Sequence, residues 1–160
     1  MNKIFILLSL LSSLAFAMPG DRDKPIEIEA ESVVVDESTG FNQFMGNAIV
    51  TQGSLNLSAE LIEVQTSDEE VESMIAKGNQ QKPAKYTQEQ PNQARFIEAT
   101  AVEITYDVDK GIVILIGDAH LVQGFDSFSG ETLEYDVDND KVLVKGSEDG
   151  VKRVKFIITL

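Results

Sequence analysis

Two pairs of acids, Asp107 with Asp109 and Glu134 with Asp136, have the type and spacing for general acid and base chemistry. Residues two apart on a strand share a face, and a glycosidase needs two carboxyls about 5 to 9.5 Å apart in a cleft. The residues alternating with these acids are apolar, which puts the carboxylates on the solvent side. There is no Trp to stack a sugar, no nucleophile elbow and no phosphate-cradling glycine loop, so no catalytic residue is expected and the chain reads as a non-enzyme. Asp136-Val137-Asp138-Asn139-Asp140 opens like a calcium loop. Lys141 then stands where the turn needs Gly, and Ser147 where a bidentate Glu should close the site. A hairpin turn is expected there, with no metal ligand. His120, the one histidine, lies between Ala119 and Leu121 without a partner in sequence and should face outward. The absence of Cys excludes disulfides, thiolate chemistry, Cys-zinc sites and lipid attachment to an N-terminal Cys. No cofactor is expected. Acidic residues outnumber Lys and Arg 27 to 13, a net charge of -14, so counterion release cannot drive binding and nucleic acid is not an expected partner.

The elements that carry these residues begin after an addressing segment. Lys3 and the apolar run Ile4 to Leu14 precede Ala15-Phe16-Ala17, the small-residue pattern a signal peptidase reads. Residues 1–17 are expected to be a signal peptide and 18–160 a single domain. The run falls short of the ~20 residues that cross a bilayer, so an exported soluble chain is expected, in the periplasm if the cell is Gram-negative. Loss of Lys3 leaves 12 basic against 27 acidic residues, a net of -15. Apolar and polar residues alternate through most of the remaining chain: Ile26 to Ala30, Ser54 to Ser58, Val102 to Val108, Thr132 to Val137 and Val154 to Leu160. Helical spacing is confined to Ser67 to Ala76, where a strand over Glu72 to Lys77 fits as well. Turn signals recur at strand-like intervals, as at Gly40, Gly53, Asp109-Lys110-Gly111, Gly124 and Asp138-Asn139-Asp140. An all-β sandwich, roll or barrel is expected.

The chain also repeats itself. Gly46-Asn47-Ala48 through Gln52-Gly53 matches Gly117-Asp118-Ala119 through Gln123-Gly124 at an offset of about 71 residues. Glu60, Ile62 and Glu63 fall on Glu131, Leu133 and Glu134, Glu29-Ala30 is echoed by Glu98-Ala99, and Lys77-Gly78 by Lys145-Gly146. Two sequence-related halves should stack or interleave around one shared core. Gly46, Gly53, Gly117 and Gly124 should hold turns or bulges. The apolar faces of Val102, Ile104, Tyr106 and Val108, of Leu133, Tyr135 and Val137, and of Val154, Phe156, Ile158 and Leu160 are, on periodicity alone, either a filled core or the lining of an apolar channel.

These residues resemble a known family. Gly20-Asp21-Arg22-Asp23-Lys24-Pro25-Ile26-Glu27-Ile28-Glu29-Ala30 after a signal peptide, then Gly46-Asn47 through Gly53, Ala59-Glu60, and Gly78 with Lys82-Pro83, are similar to the LptA family of lipopolysaccharide-transport bridge proteins, built on the OstA-like domain. The resemblance extends over essentially all of residues 18–160. It implies a β-jellyroll of two antiparallel sheets with an open hydrophobic groove. It implies a periplasmic carrier that shields lipid A acyl chains while lipopolysaccharide passes from an inner-membrane export complex to an outer-membrane translocon. Its implied partners are lipopolysaccharide, the LptC and LptD components, and further copies of the chain arranged head to tail.

Combined with the strand phases, the resemblance places Ile26, Ile28, Tyr86, Ile104, Tyr106, Val108, Leu133, Tyr135 and Phe156 on the groove. Edge strands carrying Ile26, Ile28, Val154, Phe156 and Ile158 should join successive copies. A docking or polymerising β-module without lipid cargo, and an enzyme of periplasmic glycans, are the competing classes. Net charge alone predicts self-repulsion, and hence association that strengthens with salt.

Overall fold

A computed structural model describes residues 20–89 and 95–159; the expected signal peptide, residues 1–17, lies outside them, as does Leu160. Among the described residues the chain forms twelve antiparallel strands. They are β1 (Ile26–Glu29), β2 (Ser32–Asp36), β3 (Phe41–Gln52), β4 (Leu55–Ser67), β5 (Glu70–Lys77), β6 (Ala84–Glu89), β7 (Phe96–Ala101), β8 (Glu103–Asp107), β9 (Ile112–Gln123), β10 (Asp126–Asp136), β11 (Lys141–Lys145) and β12 (Lys155–Ile157). A 3-10 turn at Asp21–Asp23 precedes β1. The segment with helical spacing is therefore a strand. β5 alternates between half-buried and buried side chains at Ser73 to Lys77, sandwiched between β4 and β8, and ladder pairing on both edges outweighs the short helical pattern.

Four long strands, β3, β4, β9 and β10, each serve two layers. Their outer segments give a first layer in the order β2-β3-β4-β5-β8-β9-β10-β11. Their other segments give a second layer in the order β1-β3-β4-β6-β7-β9-β10-β12. The change of layer falls at bulges, where the β3–β4 register shifts between Met45 and Ala48 and the β9–β10 register between Gly130 and Thr132. Gly46 and Asn47 have φ of 80° and 45°, and Gly117 and Asp118 have 81° and 49°, so the same left-handed kink is made at matched positions of the repeat. A Cβ on Gly46 would lie 2.6 Å from the Glu31 carboxylate, so the bend needs Gly for space as well as for φ.

The halves also share the cations beside their bends. Lys82 Nζ donates to Asn47 Oδ1 and pairs with Glu60 at 3.2 Å, and Lys152 Nζ pairs with Asp118 at 2.8 Å and Glu131 at 2.7 Å. The result is a β-jellyroll folded along a spine of bulges, with its turns at the two free lips. Gly40, Gly111 and residues 137–140 lie on the lip of the first layer, and Gly53-Ser54 and Gly124-Phe125 on that of the second. The layers meet in one core: Tyr86 of β6 and Tyr106 of β8 approach with ring centroids 6.2 Å apart at 60°.

The last strand is shorter than its sequence alternation suggests. Only Lys155–Ile157 is paired, against Ser127–Ser129 of β10, while Val154 and Ile158 lie outside the strand. Beyond it Thr159 is held outside the ladder, its amide donating to Asp126 Oδ1 at 3.2 Å and its hydroxyl to the Phe125 backbone carbonyl at 3.1 Å. A strand at the end of the sheet path has a ladder on one side alone, and the alternation cannot reveal how far that ladder runs.

Candidate functional site

The space between the layers is apolar and draws on both halves. Tyr86, Ile104 and Tyr135 are fully buried, Tyr106 and Leu133 are 1% exposed, and Ile26, Ile28 and Val108 are half-buried against the same cluster. Of the nine residues expected on the groove from the resemblance and the strand phases, eight lie in or against this one apolar cluster. The burial pattern of β8 puts Ile104 and Tyr106 inside and Thr105 on the other face. Phe156 differs: it is 50% exposed and stacks on Phe128, with centroids 4.4 Å apart at 14°. The edge position of β12 explains this, since Phe156 has a ladder neighbour on one side only.

Alternation missed part of the lining. Phe128, Phe44, Val71, Val142 and Val144 also pack on the cluster. Phe128 stands two residues before the β10 bulge, between Ser127 and Ser129, so its run carries no period. Phe44 is similarly masked by the Gly46 bend.

The polar rim of the interior was not legible at all, although part of it lay inside the repeat motif. Gln52 and Gln123, matched by the repeat, are 5% and 7% exposed at the lip of the second layer. Gln52 Nε2 donates to the Arg22 carbonyl at 3.2 Å and the Lys24 carbonyl at 3.1 Å, and Gln123 Nε2 donates to Asp140 Oδ1. Tyr86 donates its hydroxyl to Gln88 Oε1, and Gln88 Nε2 donates to Asp21 at 2.8 Å. Asp21 also accepts from the Ser54 amide at 2.8 Å and hydroxyl at 2.6 Å. Partial burial works to raise the Asp21 pKa, but these donors outweigh it and hold the carboxyl below its ordinary value. Burial pushes the Tyr86 phenol well above its usual range, with Tyr106 and Tyr135 nearby adding to the effect. Tyr86 is therefore a neutral donor at any physiological pH.

The candidate polar sites lie elsewhere. Asp107 accepts from the Lys110 amide at 3.1 Å and ammonium at 2.6 Å, so it organises its turn. Residues 136–140 form the β10–β11 hairpin, where the Asn139 amide and side chain bind the Asp136 carboxylate at 3.0 and 2.8 Å. His120 is exposed, with Nδ1 2.7 Å from the Ser129 hydroxyl. Among the described residues no group of three or more His, Cys, Asp or Glu is placed to hold a metal. The interior is one apolar cluster, fully buried at its centre and half-buried along a margin that includes Ile26, Ile28, Phe44, Val108 and Phe128.

Comparison with known proteins gives a consistent answer. Residues 27–141 match the family described as LptA/(LptD N-terminal domain) LPS transport protein. The lipopolysaccharide export system protein LptA of Escherichia coli K12 is 33% identical over 163 aligned residues, covering 98% of this chain and 86% of that protein. LptH of Pseudomonas aeruginosa, also a lipopolysaccharide export system protein, is 33% identical over 129 residues, covering 80% of this chain and 72% of that one. The crystal structure of LptH, described as the LptA-homologous periplasmic component of the lipopolysaccharide transport device, superimposes with a TM-score of 0.80 at 26% identity, over 89% of this chain and 100% of that one.

Proposed function

This chain belongs to the LptA/LptD N-terminal-domain family of lipopolysaccharide transport proteins, and we propose that it is a periplasmic bridge that binds lipopolysaccharide with the acyl chains between its two layers. The observation that carries this reading is the single apolar interior built from both halves, with Tyr86, Ile104, Tyr106, Leu133 and Tyr135 turned into it. Each buried methylene is worth ~0.8 kcal/mol, so a lipid with tens of methylenes crosses water only if they are covered. No step of this function breaks a covalent bond.

Bridging follows from how the two halves are joined. β5 of the first half pairs with β8 of the second, Met74 opposite Tyr106, Ile75 opposite Thr105 and Ala76 opposite Ile104. β6 pairs with β7, Tyr86 opposite Ala99. By the repeat, β11 and β12 correspond to β5 and β6, and β2 and β1 to β8 and β7. A head-to-tail contact would therefore reproduce the internal joint, setting Val142, Leu143 and Val144 opposite Val35, Val34 and Val33 of the next copy, and Phe156 opposite Ile28. The exposures support it: Ile104 and Tyr106 are 0% and 1% exposed under β5, whereas their counterparts Val33 and Val35 are 53% and 58% exposed on an uncovered edge. The same two edges would take the related domains of LptC at the N-terminal side and LptD at the C-terminal side.

A photo-crosslinker at Tyr106 should capture lipopolysaccharide in cells, and one at Thr105 should not. Capture at Thr105 alone would reverse the facing. Capture at neither, with no lipid A in solvent extracts of the purified protein, would leave a docking module without cargo.

A further inference from the structure

The polar rim is arranged as a bridge between the two lips, and its centre is the segment just before β1. Asp21 is bound to the second-layer lip, through Ser54 of the β3–β4 turn and through Gln88 of β6. Gln52 holds the carbonyls of Arg22 and Lys24 from the same lip. One residue along, the Arg22 guanidinium crosses to the first-layer lip. Its Nη2 lies 3.2 Å from both carboxylate oxygens of Asp138 in the β10–β11 turn, and it also faces the Tyr106 hydroxyl. A Cβ on Gly111, in the β8–β9 turn of that lip, would overlap the guanidinium, and one on Gly53 would overlap the Asp21 carboxylate. The segment therefore passes close over a glycine on each lip.

We propose that residues 20–25 form a strap across the mouth of the groove, anchored on one lip and latched on the other, and that the latch opens to admit an acyl chain sideways. The proposal rests on the lipid-carrier reading and adds how the interior is filled. The two attachments are unequal. The Asp21 side has three donors on one carboxylate and two further bonds from Gln52. The Arg22 side has one ion pair between side chains 40% and 56% exposed, the kind that solvent and salt weaken, and beside it the contact with the Tyr106 hydroxyl. Opening should begin at Asp138 and swing about Asp21. Tyr86 and Tyr106 lie beneath the strap, with their hydroxyls on Gln88 and Arg22, so the same motion uncovers the ring pair at the centre of the interior.

The absence of Cys makes the test clean. An Arg22→Cys/Asp138→Cys variant is bridged by a short reducible bis-thiosulfonate linker, and uptake of fluorophore-labelled purified lipopolysaccharide is followed before and after reduction. The bridged protein should fill at least tenfold more slowly than the same sample once reduced, with circular dichroism unchanged, and the reduced variant should fill faster than the parent, which keeps its ion pair. Equal rates for bridged and reduced protein would mean that lipid passes the ends of the layers, and would overturn the strap. If neither the parent nor the reduced variant takes up the probe, the carrier reading itself falls, which is a different result.

Discussion

Ile104 and Val108 stand on the same run, and burial separates what substitution at each should do. Ile104 is fully buried, so Ile104→Glu sets an unpaired carboxyl in the core and should unfold the domain before lipid binding can be read. Val108 is half-buried at the end of that run. Val108→Glu should keep a β-type circular dichroism spectrum and cut retention of lipopolysaccharide at least tenfold, measured by co-purified lipid A. Gly53 has φ of 61° and Asp21 packed where its side chain would grow, so Gly53→Val should lower stability by about 1 to 3 kcal/mol in thermal melts. An unchanged melt would remove both reasons for glycine there. Asp21 gives a pH signature of defined sign. Its folded pKa lies below the ordinary value, so its contribution is complete above the unfolded pKa of about 3.9 and is lost as pH falls through the folded one. Asp21→Asn should accordingly flatten the loss of stability with acid from about pH 5 downward, read by urea midpoints at stepped pH.

At the scale of the strand, legibility tracks the pairing on either side. β8 and the paired part of β10 from Thr132 on alternate cleanly, and their phase turns the right face inward, since each has a neighbour on both edges. β5 reads ambiguously because its acidic turn, Asp68-Glu69, imitates the first turn of a helix; φ of 52° and 67° there shows a tight hairpin instead. The reach of β12, the place of Phe128 and the glutamine rim are hidden for three different reasons: one-sided pairing, an adjacent bulge, and glutamine bonds to Arg22, Lys24, Asp21 and Asp140, partners 17 to 67 residues away that no local pattern encodes. The repeat is the most informative signal, because it fixes the bends at Gly46 and Gly117 together and makes β5 and β8 the template for the terminal edges. Proline at Ile157 removes a donor on β12, and Leu143→Asp puts a carboxylate opposite Val34 of the next copy. Each should leave a monomer that still carries lipid but does not assemble, by sedimentation velocity across a concentration series. Assembly unimpaired in both would place the contact on other edges.

Charge is informative only for the molecule as a whole, and its placement reverses what its sum suggests. The net of -14 alone argues for repulsion between copies. The acids nevertheless gather on the opening edge, at Glu27, Glu29, Glu31 and Asp36, while Lys141, Lys145, Lys152, Arg153 and Lys155 occupy the closing edge. In the proposed register Lys155 faces Glu29 and Lys141 faces Asp36 of the next copy. The internal joint already shows such charge matching, with Lys77 opposite Glu103 and Lys85 3.2 Å from Glu98. Head-to-tail association should therefore weaken as salt rises from about 0.05 to 0.5 M, since pairs within a Debye length of ~10 Å outweigh the distant net charge. Strengthening with salt in sedimentation would restore the net-charge expectation.

The joint between β5 and β8 has a consequence for how an assembly would look from a distance. If each junction between copies repeats the splice inside each copy, a fibre of this protein has no landmark at its subunit boundaries. Low-angle diffraction from aligned fibres would then place its strongest meridional reflection at half the length of one molecule, with the full-length reflection weak. That weak reflection would carry only the differences between the halves, such as the six residues of β6 against the three of β12.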